Sequence, residues 1–177
     1  MSASLFDVIA DGAVVESPLW GESLRPPSER LAAEPVFSPL VPTPELALGV
    51  ETIYEGYLLH YGRSRLFAPT DPDVALLLGD TLLAHGLVRV ADTGALAAVS
   101  DLAELLSLCA QSRAEGVRGD AAAWAATACF LGQGGLDEAR RALRTSRDPG
   151  PLEQLARTTA GDRPVDRALA AHDALVL

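Results

Sequence analysis

At 177 residues the chain suits one domain, long enough to bury about two-thirds of its unfolded surface in a single core. Its net charge of −10 sets the average field against phosphate backbones and anionic lipid surfaces, so no nucleic-acid partner is expected. All 14 basic residues are arginine, which excludes a Schiff-base, P-loop or general-base lysine.

Apolar residues, mostly Ala and Leu, make up 49% of the chain and aromatics 5%, a balance that favours packed helices. The expected fold is all-α: a compact bundle of about six to eight helices over residues 45–177, preceded by an extended Pro-rich N-terminal arm over residues 1–44. The start of the chain lacks a basic n-region and carries Asp7 and Asp11, so it does not read as a signal peptide. Seven of the twelve prolines fall within the first 44 residues, which predicts extended or looped chain apart from one turn over 29–33. The arm is nonetheless too apolar for a solvated linker. Trp20, Phe37 and Leu40 are its expected partner-binding anchors.

Helical patterning begins at Thr43, where "TPEL" offers a Thr cap, Pro at the first helical position and Glu in the first turn, and runs to about His60 or Tyr61. "TDPDVALLLGDTLLAHGLVRVA" repeats the device at Asp71 and Pro72 and is apolar nearly all round, which predicts a central core helix. The next helix carries Leu96, Val99, Leu102 or Ala103, Leu106, Cys109 and Ala110 at helical spacing and stops at Gly116. A helical hairpin turning at 132–135, a short helix over 149–157 and a last helix around Pro164 complete the chain, with no alternating strand pattern. No apolar run is expected to reach the roughly 20 residues of a bilayer span. Cys109 and Cys129 are lone thiols, so a cytoplasmic protein is expected, with any membrane association made through a partner.

Residues 51–135 resemble a segment of the all-helical isoprenyl (polyprenyl) diphosphate synthases. One helix of that family reads roughly E-x-I-H-x-x-x-L-I-H-D-D, and "ETIYEGYLLHYG" supplies Glu51, Ile53, Leu58, Leu59 and His60 in order. A later family helix reads roughly I-L-x-G-D-x-L-L-A, matched by Leu77, Leu78, Gly79, Asp80, Leu82, Leu83 and Ala84. "AAAWAATACFLG" stands where a Lys-Thr-bearing helix ending in Leu-Gly follows. The family's chemistry implies two aspartate-rich motifs holding magnesium on an allylic diphosphate. Where the first should start, the chain reads Tyr61, Gly62, Arg63, Ser64, Arg65; Ala125, Ala126 and Thr127 stand in the region of the Lys-Thr pair, and only Asp137 and Glu138 stand together further on. The resemblance therefore implies a truncated relative without catalytic or metal-binding residues.

Other chemistry finds no support. His60, His85 and His172 lack metal-ligand spacing, Asp71 and Asp73 read as helix caps, and Ser100, Ser107 and Ser112 have no evident base. Arg63 and Arg65 could grip a diphosphate without metal, or simply place positive charge at a helix C-terminus. The expected function is a non-catalytic helical subunit of a hetero-oligomeric assembly, without cofactor or metal, regulating or scaffolding an active synthase. The alternatives are an accessory subunit of a membrane-associated or respiratory complex, and a prenyl diphosphate binding protein.

Overall fold

The computed structural model describes residues 4–30 and 33–176. The described residues form ten α-helices: α1 Leu5–Glu16, α2 Pro18–Glu22, α3 Pro27–Arg30, α4 Ala47–Tyr61, α5 Pro72–Asp92, α6 Leu96–Ala114, α7 Asp120–Phe130, α8 Asp137–Ser146, α9 Gly150–Ala160 and α10 Asp162–Leu175. Two isolated bridges, Leu24 with Phe67 and Gly62 with Val176, are the only β pairing among them. The protein is an all-α bundle.

The first 44 residues are more helical than their prolines suggest. Residues 5–16 contain no proline, and Ser4 and Asp7 close a reciprocal cap, with the Asp7 amide donating to Ser4 Oγ at 3.1 Å and the Ser4 amide to Asp7 Oδ2 at 3.2 Å. Of the turn expected over 29–33, Glu29 and Arg30 fall in α3, which begins earlier at Pro27, while residues 31 and 32 lie outside the described residues. These segments lie on their own chain. Phe6, Ile9 and Trp20 pack with Leu66, Phe67, Leu78 and Leu82 in one buried cluster. Val36, Phe37 and Leu40 belong to the larger cluster around α4, α6, α7 and α10.

Thr43 does not cap α4. A 3-10 turn, Pro44–Leu46, precedes that helix, and the Thr43 side chain makes no capping hydrogen bond. At α5 the expected device is present, with Asp71 Oδ1 accepting from the Asp73 amide at 2.9 Å. α4 and α5 run antiparallel and cross closely because Gly49 meets Gly86 and Gly56 meets Gly79. A Cβ on Gly86 would lie 2.3 Å from Ile53 Cγ1 and 2.8 Å from the Gly49 oxygen, and one on Gly56 would lie 2.7 Å from the Gly79 oxygen. Seven-residue spacing on both helices sets two glycine contacts on one face.

α5 is not the central helix its composition suggests. Leu78, Leu82 and Val90 turn inward with the glycines, but Leu76, Leu77 and Val88 are 50%, 57% and 55% exposed. The apolar residues encircle the helix and only one neighbour, α4, covers it extensively. By length and composition alone α5 could also cross a membrane. In α6 the buried stripe is Ala98, Leu102, Leu105, Leu108 and Cys109, whereas Leu96 is exposed. Asp101 sets this rotation: it accepts from the Gly132 amide at 2.9 Å and pairs with buried Arg140 at 3.2 Å, which turns its side of α6 toward α7 and α8.

Candidate functional site

α4 carries Glu51, Tyr54, Glu55 and Leu58 at i, i+3, i+4 and i+7, so they share one face, and all are fully buried. An acid pair in such surroundings needs a counter-charge. Chain reversal after Tyr61 supplies it in Arg65, whose Nε donates to Glu55 Oε1 at 2.6 Å and whose Nη2 donates to Glu51 Oε2 at 2.7 Å. Its third nitrogen donates to the Glu34 oxygen at 2.7 Å. The other carboxylate oxygens are also filled: Glu51 Oε1 accepts the amides of Val36 and Ser38 at 3.0 Å, and Glu55 Oε2 accepts the Ser64 hydroxyl and the Arg65 amide. The guanidinium lies between the Phe6 ring at 4.8 Å and the Tyr54 ring at 5.0 Å. Burial works against its charge, but Glu55 and then Glu51 outweigh that and keep Arg65 protonated well above its ordinary range.

The position where the resemblance would place a metal site is therefore a clamp joining α1, the arm, α4 and the 62–67 loop. Magnesium does not fit, because a guanidinium already occupies the space between the two carboxylates. No group of three or more His, Cys, Asp or Glu side chains suited to a metal ion is present among the described residues.

One turn along α4, Tyr54 and Tyr57 enter a second network. Tyr54 Oη and His172 Nδ1 are 2.9 Å apart, His172 Nε2 lies 3.3 Å from Asp120 Oδ2, and Tyr57 donates to the same oxygen at 2.5 Å. Arg113 Nε adds a bond to it at 3.0 Å, with a second, closer contact through Nη2. Burial resists ionisation of Asp120, yet the close approach of the His172 ring, the hydrogen bond from Tyr57 and the bond from Arg113 hold its carboxyl well below the usual carboxylate range. Desolvation, with Cys109 and Asp120 nearby, pushes the Tyr57 phenol far up. Phe37 and Trp124 stack at 5.5 Å beside this network, and Tyr54 meets both rings edge-on. An Asp and a His in contact invite comparison with an acid-base pair. Here Nδ1 pairs with Tyr54 Oη, Nε2 lies 3.3 Å from Asp120 Oδ2 without a well-formed hydrogen bond, and His172 is 1% exposed, so the ring is enclosed at the inner wall of a neighbouring cavity. The network ties α4, α6, α7 and α10 together.

Two cavities open beside these clusters. One, of about 590 Å³, lies at the start of α7, against Arg113, Arg118, Asp120, His172 and Asp173. The other, of about 790 Å³, lies between residues 33–39 and α10, with Arg25, Arg63, Arg65 and Arg167 around a wall of Ala168, Ala171, Ala174 and Leu175. Arg25 is engaged by Glu29 at 3.1 Å and Arg65 by its glutamates, whereas Arg63 and Arg167 have no carboxylate within salt-bridge distance among the described residues.

The expected site residues are thus dispersed. Trp20 and Leu40 are each 8% exposed and Phe37 is fully enclosed, so these are core residues of this chain and offer no contact surface. Arg65 is consumed by the clamp, leaving Arg63 alone of that pair beside open space. The clamp had a visible signal: two glutamates four apart on an otherwise apolar helix. His172 follows Val165 and Ala168 on the inward stripe of α10, also legible, but its pairing with Asp120 joins residues far apart in the chain and has no local signature.

No family model matches the chain, and comparison with curated proteins and with solved structures finds no significant relative.

Proposed function

We propose that the chain is a non-catalytic helical subunit of a larger protein assembly, built on a core that resembles an isoprenyl diphosphate synthase without its metal-binding motifs. The observation that carries this reading is the outward face of α5. That helix is the longest in the chain, at 21 residues, and only 28% of its most apolar 18-residue window is buried. Leucines and a valine left in water along one side of a rigid helix support an interface with a partner. The clamp agrees with it, since carboxylates that could have served chemistry are committed to holding the fold. The proposed role is to scaffold or regulate an active synthase. An accessory place in a membrane-associated or respiratory complex would use the same face.

A second reading, a prenyl diphosphate binding protein, has one observation in its favour: among the described residues Arg63 and Arg167 make no ion pair and stand beside the apolar α10 wall of the larger cavity, which Glu29 and Glu34 also line.

Mild purification from the native source followed by mass measurement tests the first reading. A stable complex well above the 18.5 kDa of one chain supports it, and a lone monomer contradicts it. Incubating the purified chain with an allylic diphosphate, isopentenyl diphosphate and magnesium adds a second check: product formation would end the non-catalytic account. Prenyl diphosphate binding that vanishes in Arg63→Ala and Arg167→Ala would establish the second reading.

A further inference from the structure

From the outward face of α5 we infer the chemistry of the partner: an amphipathic helix whose apolar stripe is flanked by lysine or arginine. This rests on the assembly reading and adds what it leaves open.

Leu76, Leu77, Ala84 and Val88 form the exposed apolar stripe, spaced at i+1, i+8 and i+12 from Leu76, which places them along one side of a helix. From Leu76 to Val88 the stripe is ~18 Å long, the span of a partner helix of three to four turns. Asp73, Asp80 and Asp92 are exposed along its borders, and His85 stands on the same border as Asp92, seven residues earlier. The basic groups nearest to it are turned to the flank and occupied, His85 by Glu16 at 2.8 Å and Arg89 by Thr52 at 2.7 Å. Asp80 lies 3.1 Å from His60 yet its side chain remains 73% exposed.

This pattern selects among occupants. In a second copy, the antiparallel register that brings Leu77 against Val88 also brings Asp73 against Asp92 at both ends, while Asp80 meets a His85 already held by Glu16. An anionic bilayer fares no better, because interfacial helices ring their apolar face with Lys and Arg, the reverse of what stands here. A cationic amphipathic helix places apolar side chains on the stripe and a positive charge opposite each aspartate.

Two synthetic peptides of ~18 residues test this by fluorescence anisotropy: one with a leucine stripe flanked by lysines, the other identical but with glutamates. The lysine peptide should bind at least ~10-fold tighter than the glutamate peptide, and Leu77→Asp or Val88→Asp should weaken it by a further ~10-fold. The sign of the second effect separates docking from general attraction to an acidic protein, since an added aspartate would strengthen the latter. Asp73→Asn with Asp92→Asn should reduce affinity while leaving circular dichroism unchanged. Binding that is equal for both peptides, or strengthened by Leu77→Asp, overturns the inference. So does a homodimer abolished by Leu77→Asp, or binding to phosphatidylglycerol vesicles through the same face. If the protein runs in a large native assembly that the lysine peptide fails to displace, the partner's chemistry is wrong and the assembly reading stands; a lone monomer removes both.

Discussion

Replacing Arg65 by alanine removes the only cation between Glu51 and Glu55, both fully buried. The loss has three parts: the two ion pairs, the bond from the guanidinium to the Glu34 oxygen, and its packing between Phe6 and Tyr54. Breaking a buried pair by deleting one partner costs about 3–5 kcal/mol, because an uncompensated charge remains in the interior. The Glu34 oxygen adds about 1 kcal/mol, partly recovered by water reaching the vacated space. About 4 kcal/mol is therefore expected, a fall in Tm of about 8–16 °C for a domain of this size. Arg65→Lys should recover less than half of this, because a single ammonium cannot serve Glu51, Glu55 and Glu34 together. The triple change of Arg65→Met, Glu51→Gln and Glu55→Gln should be far milder than the sum of its parts, since the stranded charges leave with their partner. Urea unfolding followed by circular dichroism measures all three. A loss below about 1 kcal/mol for Arg65→Ala, or strict additivity in the triple variant, would refute the clamp.

Other consequences are open to similar checks. Gly86→Ala should destabilise by about 1–3 kcal/mol, against the gain of about 1 kcal/mol that helix propensity alone predicts, because the new methyl would sit on Ile53 and the Gly49 backbone; thermal melts decide the sign. Asp120 has a depressed carboxyl, so the unfolded chain takes up its proton first and stability falls as pH drops below the ordinary carboxylate value near 3.8. Asp120→Asn should be less stable than the parent at pH 7 and lose less than it between pH 5 and pH 3, as acid titration of the unfolding midpoint would reveal. Burial pushes the Cys129 thiol up to about 11 and Cys109 higher than usual, so Ellman's reagent at pH 8 should label neither in the native protein and both in guanidinium.

Much of the fold was legible in the sequence, because helix ends are local. Asp71 before Pro72, the glycines at 132–135 and the stop at Gly116 sit where the structure turns. Long-range partners were not. The proline-rich reading of the first 44 residues passed over α1, whose Ser4–Asp7 cap and proline-free run precede the prolines. Trp20 and Phe37 looked like anchors because aromatics on an arm are expected to seek a partner; the partner is the chain's own core. α5 misled in the opposite direction, since an apolar circumference signals burial only if neighbours exist on every side. The glycine pairs that hold α4 against α5 were visible as letters, but only packing reveals that they face each other.

The central claim concerns the outward face of α5, and it is tested most directly by introducing Leu77→Asp and Val88→Asp at the native locus and measuring the mass of the protein in gently prepared extract. Both sites are more than half exposed, so the isolated variant should keep its circular dichroism and melting temperature. The account predicts a large complex for the natural chain and a monomer for the variant. Equal masses for the two, whether both large or both monomeric, would contradict it.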